Sequence, residues 1–201
     1  MSDPHQSEAT TDQLVMTDEM RVALYGGRVT DEDAFTAGQQ EVEEMIEASA
    51  PLGDILSTLV RMIERQTPGM FCSVLLLSSD GNHIQHGAAP SLPPNYVQAV
   101  DGAPIGPKQG SCGTAMYRGE RVIVTDILTD PLWDDFRDLT KGTGLRACWS
   151  TPILSRRGKV LGSFAMYYLQ PQAPTGEEER LTEAATRLAA KAIEHDRAPA
   201  A

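Results

Sequence analysis

No apolar stretch in this 201-residue chain approaches the roughly 18 to 20 residues that cross a bilayer; runs such as Val74-Leu75-Leu76-Leu77 stop far short. A transmembrane helix is therefore excluded. The opening MSDPHQSEATTD carries acids where a secretory signal needs a basic segment followed by an apolar one, so a cytoplasmic location is expected. Basic charge is also in short supply. The formal net charge is −11, with 12 acids and 2 bases in residues 1–49 against 16 acids and 15 bases in the rest. A near-neutral body behind an acidic leader offers no basic patch to phosphates, which argues against nucleic acid and against an anionic membrane surface as partners. Only three cysteines occur, Cys72, Cys112 and Cys148, with no C-x-x-C pair to chelate zinc or form a dithiol loop. Their odd number speaks against a closed disulfide framework and suits a reducing compartment. Repeats and low-complexity tracts are missing, as is a Gly-rich phosphate loop between a strand and a helix.

What is present is ordinary globular usage, 41% apolar and 22% charged, enough for one domain with tails. Residues 1–37 read as an acidic flexible leader, 38–196 as the domain and 197–201 as a short tail. From Gln39 the apolar spacing is helical through Val42, Met45 and Ile46. A second helix follows through Leu52, Ile55, Leu56, Leu59, Val60 and Ile63. Phe71 to Leu77 reads as a strand, Ser79-Asp80-Gly81-Asn82 as a hairpin turn and His83 to Ala89 as the returning strand. Pro93-Pro94 opens a short helix. Ser111 is placed to cap a helix over Cys112 to Arg118, which Gly119 stops. Arg121 to Asp126 is a strand, Asp130-Pro131 begins a helical turn, and Arg146 to Leu154 and Lys159 to Leu169 form a second hairpin. Thr175 and Glu178 make a capping box for the last helix, whose Leu181, Ala185, Leu188 and Ala192 form a narrow seam. Two hairpins in one sheet with helices packed on it define an α+β domain with an antiparallel sheet.

Three blocks, GAAPSLPPNY, IGPKQGSCGTAMYRGERVIVTDILTDPLW and GLRACWSTPILSRRGKVLGSFAMYY, closely resemble the GAF domains of bacterial sensor histidine kinases and cyclic-di-GMP signalling enzymes. The resemblance runs from about Val42 to His195. It implies a GAF/PAS-like antiparallel sheet of about six strands with a pocket on one face, terminal helices that pack together and dimerise, and a sensory role. Only Asp196 to Ala201 follow the last helix, so the expectation is that a signal leaves through a partner or through dimer geometry.

Cys112 is the leading site candidate. It stands in G-S-C-G-T-A at a helix start, where free N–H groups and the macrodipole stabilise a thiolate or a bound anion, with Ser111, Gly113 and Thr114 beside it. The plain alternative is a small residue packed between loop and helix. Arg146, Trp149, Trp133 and Tyr96 read as lining for a planar or anionic ligand, or else as core aromatics and a surface arginine. Strand alternation puts Arg146 and Cys148 on one face and Trp149 on the other. His83 and His86, three apart on a strand, fall on opposite faces, so no metal site is expected. The acids Asp126, Asp130, Asp134 and Asp135 lack EF-hand spacing and read as caps.

The G-x-C-G-T-A string is similar to that of GAF-fold reductases of free methionine sulfoxide. Those enzymes place their catalytic cysteine ahead of the strand ending at Pro152, where Thr140 to Leu145 has none, so their dithiol chemistry does not carry over. Bilin-binding GAF domains follow their cysteine with His; here Gly113 follows Cys112, so a chromophore is not implied. The expected function is a stand-alone cytoplasmic sensory or regulatory domain, not an enzyme. It would bind a small molecule of unknown identity or sense redox state, and act as a homodimer or through a histidine kinase or other signalling protein. The alternatives are a reductase using Cys112 and a ligand-free dimerisation module. No cofactor is specified by the sequence.

Overall fold

Alternation along the strands divides two cores from one another. In the computed structural model, which describes residues 32–198, the strands β1 Phe71–Leu77, β2 Ile84–Ala88, β3 Val122–Val124, β4 Ala147–Leu154 and β5 Val160–Tyr168 form one sheet in the order β2-β1-β5-β4-β3. Every neighbouring pair is antiparallel. Register sets Cys148 opposite Tyr167, and Ser150 and Ser73 on either side of Ala165. Residues directly opposite share a face, so Ser73, Cys148, Ser150, Ser163 and Tyr167 lie together. Cys72, Val74, Trp149, Phe164 and Met166 take the other face.

That second face is covered by α1 (Glu32–Glu47), α2 (Leu52–Glu64) and α6 (Gly176–Asp196). Each helix brings a stripe of buried apolar residues: Phe35, Val42 and Ile46 from α1, then Ile55, Leu56, Leu59, Val60, Met62 and Ile63 from α2. The capping box of α6 is formed: the Glu178 carboxylate accepts from the Thr175 backbone N–H at 2.8 Å, and from the Tyr168 hydroxyl at 2.9 Å. The opposite face carries α3 (Pro94–Val100), α4 (Gly110–Arg118), a 3₁₀ turn at Pro131–Trp133 and α5 (Arg137–Thr140).

Three expectations change. Residues 32–37, expected in the leader, belong to α1, where Phe35 is 7% exposed; residues 1–31 lie outside the described residues. Among the described residues the strands number five, not about six. A sixth segment does run beside the start of β2, with the Ile84 N–H donating to the Ala103 carbonyl at 2.8 Å and the Ile105 N–H to the Asn82 carbonyl at 2.9 Å. Pro104 has no N–H to give, and the pairing stops at an isolated His83–Pro104 bridge. Finally, the α6 seam is not free to join two copies: Leu181, Ala185, Leu188 and Ala192 are all at most 2% exposed, packed within the chain's own helix-side core. The terminal helices α1 and α6 do pack on each other, with Arg180 bound to Glu32 at 3.0 Å.

A seam buried within the chain fails differently from a seam between chains. Leu188→Ala is expected to lower unfolding stability by about 2 to 5 kcal/mol in urea titration, while light scattering of the folded variant shows the parent's mass. A change in mass at unchanged stability would place Leu188 at an interface.

Candidate functional site

The helix α4 starts one residue before Ser111, with Gln109 at its N-cap. Ser111 is therefore not the cap. Its buried hydroxyl instead donates to the Cys148 carbonyl at 3.0 Å and accepts from the Trp133 indole N–H at 3.0 Å. One side chain thus joins α4, the 3₁₀ turn and β4. Thr114, also buried, accepts from the Gln109 N–H at 3.0 Å and closes the first turn. Gly113 lets that turn sit tightly: a Cβ there would lie 2.8 Å from the Gln109 Cβ and 3.4 Å from the Pro104 carbonyl oxygen. At the other end Gly119, in the left-handed region at φ 66°, ends the helix as the sequence implies.

This anchoring sets the Cys112 thiol against the sheet. Its sulfur is 3.5 Å from the Tyr167 hydroxyl, which is in turn 3.1 Å from Ser73 Oγ. A phenol has one proton; when Tyr167 gives it to sulfur, Ser73 must donate to Tyr167. Cys148 stands directly opposite Tyr167 in the sheet, on the face that α4 covers, with its carbonyl bonded to Ser111. Ser150 and Ser163, both 0% exposed, lie on the same sheet face as Cys148 and Tyr167, and their hydroxyls have no hydrogen-bond partner.

The electrostatic result is asymmetric. Hydrogen bonding from Cys148 pulls the Cys112 thiol down to about 7 against the resistance of burial, and Tyr167, Ser150 and Ser163 add to the effect. Cys148 is pushed well up, first by burial and then by Cys112 itself. Tyr96 and Tyr167 are also raised by burial, aided by the nearby thiols. One sulfur is poised as an anion and the groups around it stay protonated to donate.

Between α3, α4 and the 3₁₀ turn lies a cavity of about 40 Å³, walled by Tyr96, Gln109, Ser111, Cys112, Gly113 and Trp133 with apolar neighbours including Val100 and Phe136. None of its lining side chains is charged. A smaller void of about 10 Å³, reached by Ser73, His86 and Tyr167, lies on the other side of Tyr96. The Tyr96 ring meets Tyr167 edge to face, centroids 5.9 Å apart, and separates the two spaces.

Of the residues expected at a site, the structure brings together Tyr96, Ser111, Cys112, Gly113 and Trp133, and places Thr114 just behind them. It sends two elsewhere. Trp149 faces the helix-side core, its indole N–H donating to the Gln172 carbonyl at 3.1 Å. Arg146 precedes β4 and grips Asp126 through two bonds of 3.2 and 2.9 Å, so its charge is met outside the cavity. Asp130 caps the 3₁₀ turn through the Leu132 N–H at 2.8 Å. Asp134 is held by Lys108 at 2.7 Å. His83 bonds to Asp80, and no group of three or more His, Cys, Asp or Glu among the described residues could hold a metal ion. Cys148, Tyr167, Ser73, Ser150 and Ser163 were not singled out as one cluster. Their signal was the alternate small polar positions in ACWSTP and GSFAMYY, which become one face only once the hairpin register is known.

This architecture has known counterparts. The chain belongs to the GAF domain family, whose model matches residues 51–193. It is 38% identical over 157 residues to the methyl sulfide methyltransferase-associated sensor of Methanosarcina acetivorans, an alignment covering 78% of this chain and 16% of that protein. The chain thus spans about a sixth of that relative's length. Among solved structures, it resembles the GAF domain of a Coxiella burnetii phosphoenolpyruvate-protein phosphotransferase (TM-score 0.64, 19% identity, 84% of this chain and 97% of that one). It also resembles a domain of a putative two-component sensor histidine kinase from Sinorhizobium meliloti (TM-score 0.60, 21% identity, 74% and 94%). Free methionine-R-sulfoxide reductase of Neisseria meningitidis shares the fold at 13% identity (TM-score 0.62, 85% and 96%). No helix among the described residues is long and apolar enough to cross a membrane.

Two measurements check the site. Ser111→Ala leaves the buried Trp133 N–H without an acceptor, and should cost about 1 to 3 kcal/mol in thermal or urea unfolding; an unchanged melt would deny Ser111 its joining role. Alkylation of Cys112 should follow a titration centred near pH 7, with Cys72 and Cys148 unreactive in the folded protein. The sign follows from the lowered value. From about pH 7 up to the ordinary thiol value of 9.0 the folded chain has released a proton that the unfolded chain still holds, so stability gains with rising pH and loses the contribution as pH falls through 7.

Proposed function

We propose that this GAF domain is a sensory module that takes a small uncharged molecule into the cavity bounded by Tyr96, Cys112 and Trp133. The observation that carries the reading is the composition of that cavity: apolar and aromatic walls, a few polar groups at Ser111, Cys112 and Gln109, and no Asp, Glu, Lys, Arg or His in its lining. A planar anion of the kind expected from Arg146 would find no cation there. The volume of about 40 Å³ is well below the roughly 300 to 1,000 Å³ of drug-sized ligand sites. A ligand must therefore be only a few heavy atoms in size, or must displace Tyr96 and join the cavity to its smaller neighbour.

In this reading the signal passes through the sheet. Tyr167 touches the site on one face, while Met166 and Tyr168, its neighbours in β5, pack toward α6 on the other. A shift of β5 or β4 reaches α1 and α6, and from their outer faces a second copy of the chain or a histidine-kinase-type signalling protein in the cytoplasm. Support for the sensory role comes from the 38% identical sensor and from the family fold.

The test is native mass spectrometry of freshly purified protein beside Ala103→Phe, which fills the cavity from its wall. A bound mass in the parent that is at least tenfold depleted in the folded variant is the expected result. Parent and variant that retain the same ligand would move the site elsewhere. A parent without any bound mass, and without a thermal shift across a panel of small neutral metabolites, would favour the ligand-free dimerisation module.

A further inference from the structure

The structure pairs two cysteines that the sequence separates by 36 positions. Cys112 lines the cavity at the start of α4, while Cys148 is 0% exposed on β4 and sits behind it. Ser111, the residue before Cys112, is bonded to the backbone carbonyl of Cys148 at 3.0 Å. This bond holds the start of α4 against β4, and the Cys112 sulfur, 3.5 Å from the Tyr167 hydroxyl, lies over the sheet face on which Cys148 stands directly opposite Tyr167. The polar groups of this face are unusual for a core: Tyr167 meets the Cys112 sulfur at 3.5 Å, and the buried hydroxyls of Ser150 and Ser163, on the same sheet face as Cys148, have no hydrogen-bond partner. Buried hydroxyls left unpaired are costly, so a face that keeps them is built for more than packing. Cys72 lies on the opposite face of the sheet, its N–H bound to Glu64 at 2.9 Å, and is separated from the pair by the sheet itself.

We propose that Cys112 and Cys148 form a two-cysteine oxidation site that a small hydroperoxide converts to a reversible intramolecular disulfide. Cys112, the partner that lines the cavity, reacts first. The Cys112 thiolate attacks one peroxide oxygen; an S–O bond forms, the O–O bond breaks, and the second oxygen leaves with a proton as water or alcohol. Cys148 then gives up its proton and its sulfur attacks that of Cys112. The S–S bond forms, the S–O bond breaks, and hydroxide departs with that proton as water. Two thiols are oxidised by two electrons in all, and the peroxide is reduced by two. An external dithiol returns both cysteines to thiols. The Tyr167 hydroxyl holds the thiolate before the first step. The consequence for signalling rests on the sensory reading of this site, since the new bond would lock α4 to β4; disulfide formation itself requires no ligand.

The test treats the folded full chain with a small excess of hydrogen peroxide at pH 7.5, quenches with an alkylating agent under denaturing conditions and reads intact and peptide masses. The expected parent product is a monomer with one alkylatable thiol, Cys72, and a cross-linked peptide pair containing Cys112 and Cys148, reversed by dithiothreitol. Cys148→Ser should stop at a Cys112 sulfenic acid trapped by dimedone, with Cys148→Ala as the second variant should serine disturb the fold. Cys112→Ser should slow oxidation of Cys148 at least tenfold, and Cys72→Ser should behave as the parent. Three thiols surviving in folded parent protein would overturn the proposal. So would a disulfide between chains or one involving Cys72, or a parent in which Cys112 proceeds to sulfinic acid as fast as in Cys148→Ser. None of these results depends on cavity occupancy, so failure here and failure of the ligand reading are told apart.

Discussion

The hydroxyl of Ser111 is the joint on which the site depends. It serves the Trp133 indole and the Cys148 carbonyl together, each at 3.0 Å, with no solvent to compete. A hydrogen bond in such surroundings contributes modestly when made and costs more when left unmade. Three elements from distant parts of the chain are therefore fixed to one another by a single oxygen. Burial of Ala115 and Met116 docks α4 on the sheet, and the Ser111 joint fixes where along β4 its first turn, with Cys112, sits.

The two faces of the sheet do different work. The helix-side core is conventional: long aliphatic side chains from α1, α2 and α6 close over Val74, Phe164 and Met166. The other face gives up hydrophobic burial at Ser73, Cys148, Ser150 and Ser163, all at most 1% exposed. A sheet that needed only to be covered would carry valine or isoleucine at such positions. Polar groups buried there, with some hydroxyls unpaired, concentrate donor capacity beside one sulfur. This is how a site differs from a core.

Charge is handled by pairing it away from the cavity. Arg146 is held by Asp126, Asp134 by Lys108 and Arg137, and Arg121 by Glu179, all at or near the surface. Exposed pairs of this kind add little stability. Their effect here is positional, since they keep the charges of Arg, Lys, Asp and Glu out of the space between Tyr96, Cys112 and Trp133, where the Cys112 sulfur meets the Tyr167 hydroxyl and no fixed cation.

Sequence alone determined the local elements, because their causes are local. The period of Ile55, Leu56, Leu59 and Ile63 requires a helix with one apolar face, Asp80-Gly81 requires a turn, and Thr175 with Glu178 starts α6. The resemblance of the GAAPSLPPNY, GSCGTA and GLRACWSTP blocks was enough for the fold family. Cys112, Trp133 and Tyr96 were legible as site candidates by type and position. What only tertiary structure decided is which side chains meet. The placement of Trp149 in the helix-side core, the capture of Arg146 by Asp126 and the burial of the Leu181-to-Ala192 seam within one chain all depend on which face of an element meets which neighbour. The pairing of Cys112 with Cys148 depends on the register of β4 against β5 and on where Ser111 docks. These are contacts across tens of residues, set by packing of the whole domain, and spacing along the chain does not contain them.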